Sequence, residues 1–207
     1  MRYFIGLMIF ATLFFVRCNS DTGKKENHSI KYLKGKDSAY YAREGAQLAK
    51  NMYAAILQKL RQALDEKGFY ESVKYCNHQA LPITDSLSKF YGIKAKRTSL
   101  KIRNPRNAPD SLEKQILEMY EKTGLRQPII VEVKDSIRFF TPIFIAPFCL
   151  TCHGVPNQDI PDVTLKALNE LYPNDNARNY QLYDIRGMWS ISFPKNYSFP
   201  KNNLQQL

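Results

Sequence analysis

The chain predicts an α+β fold, with helices first and an antiparallel sheet after them. Three observations carry that expectation. Leu48, Met52, Ile56, Leu60 and Leu64 recur every four residues, the spacing of one helix face. Two β-rich runs, Pro128 to Val133 and Ile137 to Phe144, are separated only by Lys134-Asp135-Ser136, as in a hairpin. Met188 to Phe193 supplies one more strand.

In chain order, Met1-Arg2-Tyr3 leads into the apolar run Phe4 to Val16, and the sequence turns polar at Arg17-Cys18-Asn19-Ser20. That run is shorter than the roughly 20 apolar residues of a membrane-spanning helix but suits the core of a secretory signal. Residues 1–17 therefore read as a signal peptide. Cys18 stands where lipoproteins are cut and acylated, although Arg17 occupies a place usually taken by a small residue. The expected location is periplasmic or extracytoplasmic, lipid-anchored to a membrane surface through Cys18. Residues 18–36, polar and lysine-rich, read as a tether, and 37–207 as the folded domain.

Asp37 and Ser38 offer caps for the helix that carries the four-residue period, and Gly68 is placed to stop it. Phe69 to Ala80 reads as a second helix, carrying Cys76 on an inward face, and Pro82 to about Tyr91 as a third, with Gly92 behind it. Lys96 to Ile102 reads as a short strand. Arg103 to Asp110 contains two prolines and two asparagines and reads as a loop. Asp110 or Ser111 then caps a helix through about Lys122.

A length of 207 residues allows one domain of ordinary size, and 44% hydrophobic with 13% aromatic residues argues against disorder. The net charge of +11 fits nucleic acid, an anionic membrane or an acidic partner. Many of the basic residues are scattered singly and no nucleic-acid-binding signature is present, so nucleic acid is not an expected partner. A membrane surface is.

After the hairpin comes Phe148-Cys149-Leu150-Thr151-Cys152-His153-Gly154, a C-x-x-C-H motif in a chain with four Cys and three His. The match is to a c-type haem attachment site. Two thiols three positions apart can bond two vinyl groups on one porphyrin edge, which places His153 as proximal ligand. Covalent haem c and the export signal point to the same compartment. A zinc ribbon would need a second ligand pair, and Cys76 with His78 offers only C-x-H. A thioredoxin-like dithiol would sit at a helix start in a βαβ unit. The sixth iron ligand decides between electron transfer, gas binding and peroxide chemistry. Cys76, His78, Met52, Met119 and Met188 are the candidates, with Cys76 and His78 equal on residue chemistry alone.

The segment around Cys76, Arg97-Thr98-Ser99-Leu100-Lys101-Ile102-Arg103-Asn104-Pro105-Arg106-Asn107-Ala108-Pro109-Asp110, the Cys149 to Gly154 site and Tyr183-Asp184-Ile185-Arg186-Gly187 occur in one order. Together, over about residues 40–195, they resemble a bacterial family of single c-type haem domains. That family has a PAS-like fold, is long catalogued as a domain of unknown function, and is often fused to sensor or chemoreceptor modules. The resemblance implies covalent haem on Cys149 and Cys152, with His153 and Cys76 as axial ligands. A thiolate opposite His stabilises the ferric state and leaves no open coordination position. Redox or ligand sensing is then the expected function, with electron transfer as an alternative and a peroxidase-like enzyme, using His78 as its acid–base group, as a third class. Arg97, Lys101 and Arg103 are natural partners for haem propionates. Asp184 and Arg186 are expected to pair and brace the pocket. No transmitter region follows the domain in this sequence, so a signal or electron is expected to leave through an extracytoplasmic partner.

Overall fold

The computed structural model describes residues 30–199. The signal segment and Cys18 lie outside them. No helix of the described residues is long and apolar enough to cross a membrane.

Helix α1 runs Gly35–Tyr91 and is followed by β1 (Lys94–Thr98), α2 (Ser111–Thr123), β2 (Ile129–Val133), β3 (Ser136–Phe144), the one-turn α3 (Leu150–His153), α4 (Asp162–Leu171) and β4 (Ile185–Pro194). All strand pairs are antiparallel, in the order β1-β4-β3-β2. The fold is therefore α+β, a four-stranded antiparallel sheet with one long helical element.

The side-chain alternation of β4 sorts the two faces. Trp189, Ile191 and Phe193 join Leu48, Met52, Phe139 and the rest of the α1 side in one core, while Met188 packs with Phe140, Ile116, Leu117 and Tyr120 beneath α2. Helix α2 opens on a full capping box: the Asp110 side chain accepts from the Glu113 N–H and Glu113 accepts from the Asp110 N–H.

Several boundaries differ from expectation. The three predicted N-terminal helices form one element. Gly68 does break the helical path, with φ 76° and ψ −178°, but the chain resumes helical geometry at once. Pro82 does not break it. Pro82 and His78 are both exposed, so the His78 carbonyl deprived of its helical donor lies on the solvent side of α1 and is not buried without a partner. Asp37 and Ser38 do not cap the helix, because it begins earlier, at Gly35 after Lys34. The strand expected over Lys96 to Ile102 lies at Lys94–Thr98, since its register is set by pairing with Met188 to Ser192.

The end of the expected tether is part of the domain. The Leu33 N–H donates to the Ile130 carbonyl (2.9 Å) and the Glu132 N–H to the Lys31 carbonyl (2.9 Å), so residues 31–33 line the outer edge of β2. Helix α4 was not expected. Its Ala167 and Leu168 pack with Val73 and Ile160, docking the stretch of α1 beyond Gly68.

Candidate functional site

The apolar stripe of α1 fills the core as far as Met52 and Ile56, and beyond that point it becomes the wall of a cavity through Leu57 and Leu60. The facing walls come from Val73 and Cys76 past Gly68, from Arg97 at the end of β1, from Trp189 of β4 and from the Cys149–His153 turn. The cavity holds about 250 Å³, and Tyr53, 43% exposed, marks where it meets solvent.

The motif is presented by a 3-10 turn, Pro147–Cys149, that runs directly into α3. Both thiols and the imidazole line the cavity. Cys76, Cys149 and Cys152 are free cysteines. A separate loop fastens this turn from behind. The Tyr180 N–H donates to the His153 carbonyl (3.1 Å), and the Asn179 N–H donates to the Gly154 carbonyl (2.9 Å). Arg103 donates to the carbonyls of Cys152 and Ala177 (3.1 Å for the latter) and pairs with Asp175 at 3.1 Å. The fully buried Asp175 carboxylate also takes Arg178 (2.8 Å) and the Ala177 N–H (2.9 Å).

His153 Nδ1 lies 2.8 Å from the Ala177 carbonyl oxygen. That oxygen can only accept, so Nδ1 carries the proton and Nε2 keeps its lone pair. Arg186 Nε approaches the same nitrogen at 3.3 Å but cannot donate to it in that tautomer; its terminal nitrogen donates to the Lys101 carbonyl (3.1 Å). Burial, with Arg103 and Arg186 nearby, holds the imidazole well below the usual histidine range, so the ring is neutral.

Cys76 lines the wall formed by α1. Burial pushes its thiol up to about 11, with the Arg97 charge pulling the other way. Arg97 itself stacks over the Trp189 ring at 5.8 Å, and it has no hydrogen-bond or ion-pair partner among the described residues. Lys101 lines the same cavity, its amine 4.6 Å from the Tyr180 ring centroid.

The two α1 candidates are placed apart, Cys76 at the cavity and His78 away from it. His78 is exposed and outside the cavity, because two residues along a helix is more than half a turn. Met52 and Met188 are fully buried in the two cores, and Met119 packs beside the second.

The expected Asp184–Arg186 pair does not form. The Asp184 carboxylate accepts from the Gln181 N–H at 2.7 Å and shapes its own turn. Arg186 is instead the residue left over where the β3–β4 register shifts, Ile143 facing Gly187 and Phe144 facing Ile185. Such a bulge re-aims a side chain, here into the cavity. Gly187 follows because a Cβ there would lie 2.3 Å from the Thr98 carbonyl oxygen.

Asp175, Ala177 and Tyr180 were missed by sequence reasoning. The one available signal was Pro161-Asp162 opening an apolar period through Leu165, Leu168 and Leu171, which marks α4 and implies a structured return behind it.

These features define a class: a small α+β domain whose antiparallel sheet and broken helix enclose paired thiols, a neutral imidazole and a third thiol around one cavity. A family model described as Tll0287-like matches residues 24–194, so the chain belongs to the Tll0287-like family. That span takes in nearly all of the stretch that carries the sequence resemblance. The fold is also that of a solved structure described as the crystal structure of the cyanobacterial heme-protein Tll0287, with a TM-score of 0.51 and 23% identity, covering 74% of this chain and 98% of that one. No curated protein matches the chain.

Proposed function

We propose that the chain is a monohaem c-type domain, exported and held at a membrane surface by a lipid on Cys18, that senses redox state or a diffusible ligand through a His/Cys-ligated haem. The observation that carries the reading is the Nδ1 hydrogen bond of His153 to Ala177, which leaves Nε2 with its lone pair at a cavity also lined by Cys76, Cys149 and Cys152.

The residues present fit such a group. Cys149 and Cys152 would carry the thioether bonds, and His153 and Cys76 the two axial positions. Among the described residues no three His, Cys, Asp or Glu side chains are close enough to hold a bare ion, so the four donors ring a space instead of converging on a point. The walls between them, among them Ile56, Leu57, Val73 and Trp189, are apolar. Arg97 and Lys101 supply cations for propionates, whereas Arg103 is committed to Asp175 and to the backbone of the motif. The PAS-like character of the sheet and its flanking helices belongs to the same proposal. The haem would supply one-electron redox chemistry, with a potential set by its axial ligands and their surroundings.

The chain's own residues give the sensing reading its mechanism. His153 is fixed in place and tautomer by the 175–180 loop. Cys76 sits on the stretch of α1 beyond the Gly68 break and stays protonated until something displaces its proton. Cys76 would hold the iron from that stretch, so its release would free the helix beyond Gly68 to shift.

The opening of the cavity at Tyr53 favours a second reading, an electron carrier with an exposed haem edge. Reduction and CO exposure separate the two. A sensor changes ligation and helix conformation in the absorption and circular dichroism spectra, while a carrier changes redox state with ligation and conformation retained.

A further inference from the structure

A second and larger hollow lies on the opposite face of the sheet. Helix α2 covers that face over Phe140, Met188, Ile129 and Val131, and its N-terminal Asp110 and Glu113 reach Arg138; beyond them the row Lys94, Ser192 and Arg138, paired side by side across β1, β4 and β3, borders an open groove. The groove over this row encloses about 1130 Å³. Ser190 and Ser192 of β4 line it beside the apolar Leu112, Val131 and Val133.

Six cations and three carboxylates line the groove. Part of the charge is fixed structure. The buried Glu113 takes Lys96 at 2.8 Å and Arg138 at 2.7 Å, and Asp110 takes Arg138 at 2.8 Å. Glu132 alone is shared by Lys31 and Lys195. Lys94 and Lys134 are exposed and have no ion-pair partner among the described residues. Positive charge is thus in surplus at both ends, on β1 at one side and around β2 at the other. Three inter-strand spacings across the sheet and three residues along it separate Lys94 from Lys134, about 17 Å. A single small carboxylate cannot span that distance, but about five extended residues can. A flat lipid surface does not enter a concave groove.

We propose that this groove docks an acidic segment of a partner protein, with Lys94 and Lys134 as the cations that hold its two ends. Lys96 and Ser190 line the groove, and their strand neighbours Arg97 and Trp189 line the cavity on the other face. The occupant would lie one residue away from the candidate site, across the same two strands. The proposal does not depend on the haem reading, since its test measures binding and not colour.

The test is fluorescence anisotropy of a labelled glutamate hexapeptide with the full chain. Three forms are compared: wild type, Lys94→Glu with Lys134→Glu, and Lys50→Glu with Lys67→Glu, the last an equal charge change on exposed positions of α1. Circular dichroism confirms that all three fold. The expected result is peptide binding that weakens about tenfold in the groove variant and little in the α1 variant. Citrate at equal carboxylate concentration should compete poorly. Equal weakening in both variants would overturn the proposal in favour of diffuse charge. Citrate competing as well as the peptide would replace the polypeptide with a small anion. Loss of binding to phosphatidylglycerol vesicles in the groove variant, with peptide binding retained, would make the face a membrane contact.

Discussion

The ring of His153 and the carbonyl of Ala177, 24 residues apart in the chain, meet at 2.8 Å, and this contact decides which imidazole nitrogen is free. Ala177 is held for that contact by Asp175, whose carboxylate takes the Ala177 N–H together with Arg103 and Arg178. The candidate site therefore depends on a buried charge that touches no thiol.

Asp175→Asn should destabilise the protein by about 3 kcal/mol, since it leaves two guanidinium groups at a buried site without their carboxylate. Urea unfolding at neutral pH measures this. Burial works to raise the Asp175 carboxyl, but Arg103 and Arg178 outweigh it and hold the group below the usual carboxylate range. A carboxyl lowered in the folded state contributes stability that is fully present above its unfolded value of about 4 and is lost as pH falls through the folded value. Wild type should thus lose part of its stability below about pH 4, and the Asn variant should lose less over the same range.

Gly187→Ala should cost about 1–3 kcal/mol, because the added methyl meets the Thr98 carbonyl where β1 and β4 close over the cavity. A thermal melt checks it. A variant as stable as wild type would mean that the strands part there without penalty.

Cys76→Ser should change the ferric absorption spectrum of matured protein, whereas His78→Ala should leave it unchanged. The two residues share one stretch of helix, but only Cys76 lines the cavity. An altered spectrum in the His78 variant alone would reverse the assignment.

Arg97→Gln should lower the reduction potential, by about 60 mV if the change is tenfold in a one-electron equilibrium. Arg97 is a cation at the cavity with no described carboxylate beside it, and a nearby positive charge disfavours the more positive oxidised iron. Spectroelectrochemical titration of both proteins measures the shift, and an unchanged or raised potential would place Arg97 outside the field of the group.

The parts legible in the sequence are those whose signals are local. The Asp110 cap, the 134–136 hairpin turn, the β4 alternation and the Cys149–His153 motif each announce themselves within a few residues. Helix fusion across Pro82 was not legible, because the cost of a proline depends on whether the freed carbonyl faces water. The brace behind His153 was not legible for a different reason. Ala177 acts through its backbone carbonyl, which any residue carries, and Arg103 finds Asp175 across 72 residues. Arg103 was expected as a cation for propionates on its chemistry alone; that it also ties the motif's backbone to Asp175 could not be read locally.

The central claim is tested most directly by intact-mass and visible spectroscopy of protein exported through a c-type maturation pathway, run beside a Cys149→Ala, Cys152→Ala form. The account predicts a mass greater by one haem that survives denaturation, and reduced-minus-oxidised bands that vanish in the double variant. A colourless exported protein of unmodified mass, with both thiols open to alkylation, would contradict it.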